Sequence, residues 1–432
     1  MRRVAFLGAA LLWFAAPLAP QASAHDVTAG AARASFVLPA KIPLAGYSRR
    51  RGAPSQGVHD PVGVRALVLQ DGEATVALVS CDLLIVDERL LEAVRRRLIA
   101  HGALQGMVLM VAATHTHSGP GAYGTKFLEK LSMGHFDPAV FNALAEQIAH
   151  AILQAQAARS PIRLACRSAM TSGLVRNRMD PAGPTDGEVT TCALFRPGER
   201  RPFAVLVGFA AHPTTLGAWN KQLSADYPGV LVRDVEQRVP GAMCFFLAGA
   251  VGDQAPVKQG SGFEAAERLG HALASHAVTL LEEAGEPESP RTLQAFQETV
   301  PLPPAQIHLG RFTLPHWLGR QLVDDDATLS AVAVGQVVFL GVPCDLSAVL
   351  GETLKQEARS RHLQPVIVGF ADDYIGYCLP ETLYRTKAYE ASMAFNGPTT
   401  GELITNRLME MIDKIATSDR QQATGNRNQD VP

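Results

Sequence analysis

The segment MVLMVAATHTHSGPG, residues 107–121, joins a continuous apolar run to a polar loop. The run over residues 107–112 predicts a buried β-strand, and two histidines follow where that strand opens into the loop. In an extended backbone, residues i and i+2 point to the same side, so His115 and His117 can face one cavity. Neutral imidazole is a common zinc ligand, which makes the loop a candidate metal site. Because a bare His-x-His spacing is a weak signal, a pair of hydrogen-bonded loop histidines is the alternative.

The same succession of apolar run and polar loop recurs along the chain. Further runs of this kind cover residues 203–210, 243–248, 337–342 and 366–370. Helical patterns follow several of them, near residues 227–238, 264–281 and 346–361. Continuous runs suit strands covered on both faces, and the sequence therefore predicts an α/β fold, a layered domain with a mixed β-sheet core flanked by helices. Open α/β sheets bind ligands at the carboxyl ends of strands, where we expect the functional loops.

Local signals predict several individual elements. Two β-branched and apolar runs, residues 64–69 and 75–80, flank Asp71-Gly72, a dipeptide typical of a tight hairpin. Apolar residues at helical spacing predict a helix over residues 87–100. A second helix is predicted to begin at Asp137-Pro138 and to end near residue 157.

Two segments lack these patterns. Residues 285–315 are rich in proline, glutamate and glutamine, and they predict an excursion on the surface. Residues 417–432 are polar without periodicity, which predicts a disordered tail after a folded domain over residues 25–416.

The first 24 residues have the features of a secretory signal peptide. A basic start precedes an apolar stretch, and Ala22-Ser23-Ala24 closes it, so cleavage is expected after Ala24. A membrane anchor is the alternative, but Pro17 and Pro20 interrupt a stretch already shorter than the ~20 residues of a spanning helix. The mature protein is therefore expected to be secreted or periplasmic.

Charge and cysteine usage narrow the class of protein. The net charge is −2 and no basic stripe with interleaved aromatic residues is visible, so nucleic acid is not an expected partner. No strongly basic face is evident, and we expect at most transient contact with a membrane surface. The six cysteines fit neither a dense disulfide framework nor a zinc knuckle, and buried thiols are expected at Cys81, Cys166, Cys192 and Cys244. Cys344 and Cys378 are an exception, for the reason given below.

Several loops taken together resemble those of a known family. The chain resembles the catalytic domain of neutral (alkaline, non-lysosomal) ceramidases, zinc-dependent amidases that cut the N-acyl bond of ceramide. The most specific matches are THTHSGP at 114–120, AHPT at 211–214, AVGDQAP at 250–256 and DYIGY at 373–377. Weaker similarities are LAGY at 44–47, RNR at 176–178 and YEAS at 389–392. The resemblance covers most of the mature chain and implies a catalytic domain over residues 25–416.

The resemblance implies a set of metal ligands. Carried over residue by residue, the zinc ligands are His115, His212, Asp345 and Tyr377. A phenolate is a less usual zinc donor than imidazole or carboxylate, and Tyr374 is the nearest alternative to Tyr377. Either tyrosine can instead be a packed loop residue. Zinc in this set implies an activated water as the nucleophile and a polarised amide carbonyl.

The resemblance also implies catalytic residues. His117 is expected to donate a hydrogen bond to the tetrahedral oxyanion, although it can instead orient a neighbouring group. Arg178 is expected to stabilise developing charge, with a salt bridge on a surface loop as the alternative. Asp345 is expected to act as base as well as ligand, because a carboxylate bound through one oxygen has a second one free. The implied substrate is a small lipid such as ceramide.

Three departures from the family make the substrate less certain. Ala255 stands where the family has a serine often assigned as nucleophile, and a zinc-bound hydroxide mechanism survives that loss. Asp345 replaces a glutamate, which shortens the side chain by one methylene. The chain stops soon after Gly401-Glu402 and a final helix, so the family's immunoglobulin-like domain is expected to be missing. A zinc hydrolase of a different amide or ester, or a catalytically silent binding homologue, are the alternatives.

One disulfide is expected beside the implied site. Cys344 and Cys378 are neighbours of the implied ligands Asp345 and Tyr377. If the two ligands converge on one metal, the cysteines can converge on the other side of the same strands. A bridge requires their Cα atoms to lie within ~7 Å of each other.

Overall fold

The computed structural model describes residues 26–72, 74–309, 312–313, 319, 322–386 and 388–427. The signal peptide expected over residues 1–24 lies outside them. Among the described residues, no helix combines the length and apolar composition needed to cross a membrane.

The first layer is a five-stranded sheet in the order β4-β3-β2-β1-β5. Its strands are β1 Thr28–Ser35, β2 Gly63–Asp71, β3 Ala74–Cys81, β4 Met107–Ala113 and β5 Ser160–Pro161. The chain adds helices α1 Glu88–Ala100, α2 Phe127–Met133 and α3 Pro138–Ala157. The predicted hairpin is confirmed, since Asp71 pairs with Ala74. The two predicted helices are also confirmed; Asp87 caps α1 by accepting a hydrogen bond from Leu90 N.

The second layer is a four-stranded sheet in the order β10-β9-β8-β6. Its strands, together with the short pair β7 and β11, are β6 Arg163–Met170, β7 Val175–Asn177, β8 Glu188–Phe195, β9 Pro202–Phe209, β10 Met243–Ala248 and β11 Gln254–Pro256. Its helices are α4 Asp226–Arg238 and α5 Gly262–Glu282. The runs predicted over residues 203–210 and 243–248 are the parallel strands β9 and β10.

The third layer is a four-stranded sheet in the order β12-β15-β16-β18. The strands of this part of the chain are β12 Leu293–Pro301, β13 His308–Leu309, β14 Phe312–Thr313, β15 Asp326–Val334, β16 Val337–Val342, β17 Asp345–Leu346, β18 Gln364–Gly369 and β19 Tyr377–Cys378. The helices are α6 Ala348–Ser360, α7 Glu381–Tyr384, α8 Tyr389–Ser392 and α9 Thr400–Arg427.

The three sheets share one apolar core. Side chains from all three inner faces meet there, including Leu78, Phe245 and Val332. The outer faces are covered by helices: α1, α3, α4 and α5 cover the first two sheets, and α6 and α9 cover the third. The inner strands of each sheet are therefore covered on both faces, which explains their continuous apolar runs. The layered α/β architecture with mixed sheets is confirmed.

Each main sheet contains one parallel pair, and the carboxyl ends of these pairs meet. The parallel pairs are β3 with β4, β9 with β10, and β16 with β18. Ala113 N donates to Phe370 O at 3.1 Å, which joins the end of β4 to the end of β18. Gly249 N donates to Phe209 O at 3.0 Å beside them. The polar loops after these strands consequently face one region.

Two sequence predictions are wrong in part. Residues 293–301 are not a surface excursion but the strand β12, which pairs along its length with β15. Its alternating apolar residues suit an edge strand with one covered face. Residues 417–427, predicted to be disordered, continue the helix α9; the segment contains no proline that would end the helix. The last five residues lie outside the described part.

Candidate metal centre

His115 adopts a backbone conformation that residues other than glycine rarely adopt. It follows β4 with φ of +64°, in the left-handed region. Its Nδ1 lies 2.7 Å from the carbonyl oxygen of Leu84, and its ring stacks on Phe370 with centroids 3.7 Å apart. His115 and His117 do converge, but through this turn of the chain and not through the extended backbone that the sequence suggested.

The other two histidines are held in the same manner. Nδ1 of His212, after β9, lies 3.0 Å from the carbonyl oxygen of Val251. Nδ1 of His117 lies 3.1 Å from the carbonyl oxygen of Gly46. Carbonyl oxygens only accept hydrogen bonds, so each Nδ1 carries the proton and each neutral ring presents a lone pair at Nε2.

The three Nε2 atoms point at one another. Nε2 of His115 lies 3.0 Å from Nε2 of His212 and 3.2 Å from Nε2 of His117. Burial lowers the pKa of His115 to about 3 and the pKa values of His117 and His212 well below their usual range, so shared protons do not explain the approach. Lone pairs this close repel one another, a repulsion that a bound cation would remove, and the three nitrogens form a group that could hold a metal ion.

Asp345 completes this group from the third sheet. Its Oδ1 lies 3.3 Å from Nε2 of His212 and 3.5 Å from Nε2 of His115. The same oxygen is buried without a hydrogen-bond partner among the described residues. Burial raises the pKa of Asp345 to about 7. Imidazoles with a carboxylate are a donor set of catalytic zinc, and an orphaned buried oxygen beside them fits a divalent cation.

The two tyrosines of the later loop both contact this carboxylate but differ in their other partners. The Tyr374 hydroxyl donates to Asp345 Oδ2 at 2.8 Å. The Tyr377 hydroxyl accepts a hydrogen bond from Arg178 Nη2 at 2.7 Å. Burial and the charge of Asp345 raise the pKa of Tyr377 well above its usual range, whereas Arg178 acts in the opposite direction. Of the two phenol oxygens, that of Tyr377 is hydrogen-bonded to a cation, Arg178, which would balance a negative charge on this oxygen.

Arg178 is half-buried beside the centre, where its side chain contacts Tyr377, and does not lie on a free surface loop. Its Nε lies 2.8 Å from Glu390 Oε1, and its Nη2 also donates to Gly252 O at 2.8 Å. Burial opposes its charge, but Tyr377, Glu390 and Asp345 together raise its pKa. The guanidinium therefore holds the Tyr377 hydroxyl in place.

Arg50 is a supporting residue that no motif in the sequence singled out. It lies in a run of basic residues, yet its side chain is buried. Its Nη1 donates to the carbonyl oxygens of His117 at 2.6 Å and Ala45 at 2.7 Å, and its Nε donates to Asn220 O at 3.0 Å. Arg50 thus fixes the loop that carries His117.

Hydrogen bonds of Asp253 anchor the loop that leads to Ala255. Asp253 Oδ2 accepts from Asn177 Nδ2 at 2.9 Å, and its Oδ1 accepts from Ala348 N at 2.8 Å. Ala255 is buried in β11 opposite Arg176. The residues described as lining the adjacent cavity do not include Ala255.

A cavity of about 110 Å³ opens beside the centre. His115, His117, Tyr374 and Tyr377 form part of its lining. Its apolar walls are formed by Leu84, Ile85, Leu128, Met133, Leu322, Val323, Ile375, Met393 and Phe395. Polar side chains also reach it, and Lys126 Nζ forms a close ion pair there with Asp324.

The cysteine prediction is wrong in its choice of partners. Cys344 and Cys378 are buried free thiols. In the parallel pair of β17 and β19, Cys378 lies opposite Leu346 and not opposite Cys344. A disulfide instead joins Cys166 and Cys192, which lie directly opposite each other on β6 and β8 with Cα atoms 4.0 Å apart.

The sequence is similar to those of known neutral ceramidases. Residues 30–267 match the family model described as neutral/alkaline non-lysosomal ceramidase, N-terminal. The neutral ceramidase of Mycobacterium tuberculosis is 29% identical over 211 residues, which are 45% of this chain and 33% of that protein. The neutral ceramidase of Pseudomonas aeruginosa is 28% identical over 243 residues, 52% of this chain and 36% of that protein. The chain thus spans about a third of the length of these curated relatives.

Solved structures show the same fold. The crystal structure of neutral ceramidase from Pseudomonas aeruginosa superposes with a TM-score of 0.81 at 21% identity, covering 91% of this chain and 75% of that chain. A structure of a ceramidase complexed with C2 gives a TM-score of 0.79 at 20% identity, covering 91% of this chain and 76% of that one.

Proposed function

This chain belongs to the neutral/alkaline non-lysosomal ceramidase family, and from that premise we propose that it is a zinc-dependent amidohydrolase. It cleaves the N-acyl amide bond of ceramide or of a related N-acyl lipid. The observation that carries the proposal is the convergence of imidazole lone pairs and an orphaned Asp345 oxygen at the end of an apolar cavity.

Zinc would be held by His115, His212, Asp345 and Tyr377. Asp345 Oδ1 lies within 3.5 Å of Nε2 of both His115 and His212, whereas His117 is less buried than either of these two histidines. This difference supports separate roles for the two histidines of the His-Thr-His run. Bound zinc lowers the pKa of water and polarises an amide carbonyl.

His117 acts on the substrate side. Because its Nδ1 donates to Gly46 O, its Nε2 can donate a hydrogen bond only when the ring is protonated. His117 is neutral in the resting site, and we assign to it the role of gaining a proton as negative charge develops on the amide oxygen, because a neighbouring oxyanion favours the charged ring. Arg178 keeps the Tyr377 hydroxyl in place and contributes positive charge to the site.

Asp345 takes up the proton that water releases. Its Oδ2 is bonded to the Tyr374 hydroxyl, which orients the carboxylate toward the histidines. The oxygen of water bonds to the acyl carbon, the C–N bond breaks, and the nitrogen leaves with the proton as an amine. The immediate products are a carboxylic acid and an amine, the second proton of water passes from the acid to the amine to give carboxylate and ammonium, and no serine is required.

The cavity wall favours a second candidate substrate class. The ion pair of Lys126 and Asp324 places full charges beside an otherwise apolar surface. Such a wall suits an amide or ester with a polar head group other than that of ceramide. Turnover of acyl amides that share one acyl chain and differ in head group separates the two candidates.

We also propose that the protein acts after export, with cleavage following Ala24. The amino-terminal sequence supports this compartment. The disulfide of Cys166 and Cys192 supports it as well, because such bonds persist in oxidising environments. Detection of a mature protein that begins at His25 outside the cytoplasm tests the proposal.

The test of the function combines metal analysis with turnover of a fluorescent N-acyl sphingosine. Purified protein is expected to contain zinc and to release the fatty acid. His212→Ala is expected to lose both metal and activity, whereas His101→Ala, at an exposed helix end, should retain both. A protein that holds no zinc and stays inactive when zinc is supplied would contradict the proposal.

A further inference from the structure

The helix α2 has two faces with different surroundings. Leu128, Glu129, Ser132 and Met133 line the cavity. On the other side, the side chains of Phe127 and Leu131 are 59% and 50% exposed. Their i, i+4 spacing places them on one stripe of the helix. Phe136, just beyond the helix, is 38% exposed.

Basic residues lie beside this apolar stripe. The 3₁₀ turn of residues 48–50 packs against α2, and Gly46 N donates to Ser132 O at 3.0 Å. Arg49 and Arg51 on that turn are exposed, as is Lys130 on α2. Folding therefore places basic side chains from two distant parts of the sequence on neighbouring elements. This local concentration of positive charge occurs although the whole chain has a net charge of only −2.

A further exposed aromatic side chain marks where the cavity reaches the surface. Tyr389, on α8, lines the cavity and is nonetheless 63% exposed. Exposed aromatic and leucine side chains next to basic residues are the composition of surfaces that lie on anionic lipid bilayers.

We propose that Phe127, Leu131 and Phe136, with Arg49, Arg51 and Lys130, form a docking surface for an anionic lipid bilayer. We call these six residues the α2 surface. The apolar side chains enter the head-group region, and the basic side chains pair with lipid phosphates. Docking there holds the cavity opening against the bilayer, so that a lipid enters without crossing water. The docking surface rests on the proposed function for the kind of lipid that enters, but vesicle binding itself does not require catalysis.

Sedimentation with vesicles tests the proposal. Wild-type protein is expected to bind vesicles of phosphatidylcholine mixed with phosphatidylserine and to dissociate at high salt. Phe127→Ser with Leu131→Ser should weaken binding by about tenfold or more. Arg49→Gln, Arg51→Gln and Lys130→Gln should each weaken it by about fivefold on anionic vesicles and have no effect on phosphatidylcholine alone.

A matched control uses exposed apolar residues elsewhere. Ile99 on α1 and Met170 on β6 are 61% and 69% exposed, and neither is among the residues described as lining the cavity. The pair Ile99→Ser with Met170→Ser should leave vesicle binding unchanged. Equal binding by wild type and the Phe127/Leu131 variant, or equal loss in this control, would overturn the proposal.

Two further measurements separate this proposal from its alternatives. If the Phe127/Leu131 variant turns a dimer into a monomer without changing vesicle binding, the α2 surface joins two copies and the lipid proposal fails. Turnover of a short-chain, water-soluble N-acyl amide should be equal in variant and wild type. Vesicle binding that depends on the α2 surface in a protein that cleaves no amide would uphold docking and refute the proposed function.

Discussion

Gly46→Ala tests the separation of roles between His117 and the zinc ligands. Gly46 has φ of +106° and lies against His117. A Cβ added there would lie 2.7 Å from the Cα, Cβ and Cγ atoms of His117. Ordinary carbon contacts lie at about 3.5–4.0 Å, so His117 must retreat by about 1 Å.

A shift of that size predicts a large kinetic effect. Misplacing a catalytic group by about 1 Å can cost about 10²-fold in rate, and we expect kcat of Gly46→Ala to fall by that factor. Zinc content should be unchanged, because the added carbon does not approach His115, His212 or Asp345 among its nearest contacts. The assay is turnover of the fluorescent amide with zinc measured on the same preparation.

Gly241→Ala is the matched control. Gly241 has φ of +93°, and a Cβ there would meet nothing within 4 Å. Both variants carry the left-handed strain of about 1–2 kcal/mol, so both should lose some thermal stability. Only Gly46→Ala should lose kcat. Wild-type kcat in Gly46→Ala would refute the role of His117, and a parallel loss of zinc would make His117 a ligand instead.

Further predictions concern the carboxylate, the missing serine and pH. Asp345→Asn should weaken zinc binding by at least ~10²-fold, measured by competition with a chelator; unchanged affinity would remove Asp345 from the ligand set. Ala255→Ser should change kcat by no more than about twofold, since Ala255 is buried and is not among the described lining residues of the cavity; a large gain would show that a serine there participates. Burial raises the pKa of Asp60 to about 6, above an unfolded value of ~3.9. The folded protein therefore binds more protons between these values, and wild type loses stability as pH rises through that window. From about pH 4 to about pH 7, the unfolding free energy of wild type relative to Asp60→Asn should fall by about 1–2 kcal/mol in urea titrations; a difference independent of pH would contradict the assignment.

Local patterns in the sequence were sufficient to predict several helices and strands. The hairpin at Asp71-Gly72 and the helix from Pro138 to Ala157 formed as predicted, because turn residues and helical periodicity act over a few neighbours. The strand β12 was missed because an edge strand carries only a weak, alternating pattern.

Local patterns did not predict which cysteines are bridged. Cys344 and Cys378 are neighbours of residues that do converge, and their side chains interact. They are nevertheless free thiols, and β17 pairs with β19 in a register that places Cys378 opposite Leu346. Cys166 and Cys192 are bridged because β6 and β8 pair in a register that places them opposite. Strand register depends on hydrogen bonds between segments far apart in sequence, which single-chain spacing does not report.

By itself, the sequence determined which donors stand at the ends of buried strands: His115, His212 and Asp345. Only the tertiary structure decided that they face one another, because that depends on three sheets packing with their parallel pairs ending at one place. The tertiary structure also determined which ring nitrogen is free to bind a metal. The carbonyl oxygens of Leu84 and Val251 fix the proton on Nδ1 of His115 and His212, respectively. The resulting lone pairs at Nε2 are a product of long-range backbone contacts, and no motif in the chain encodes them.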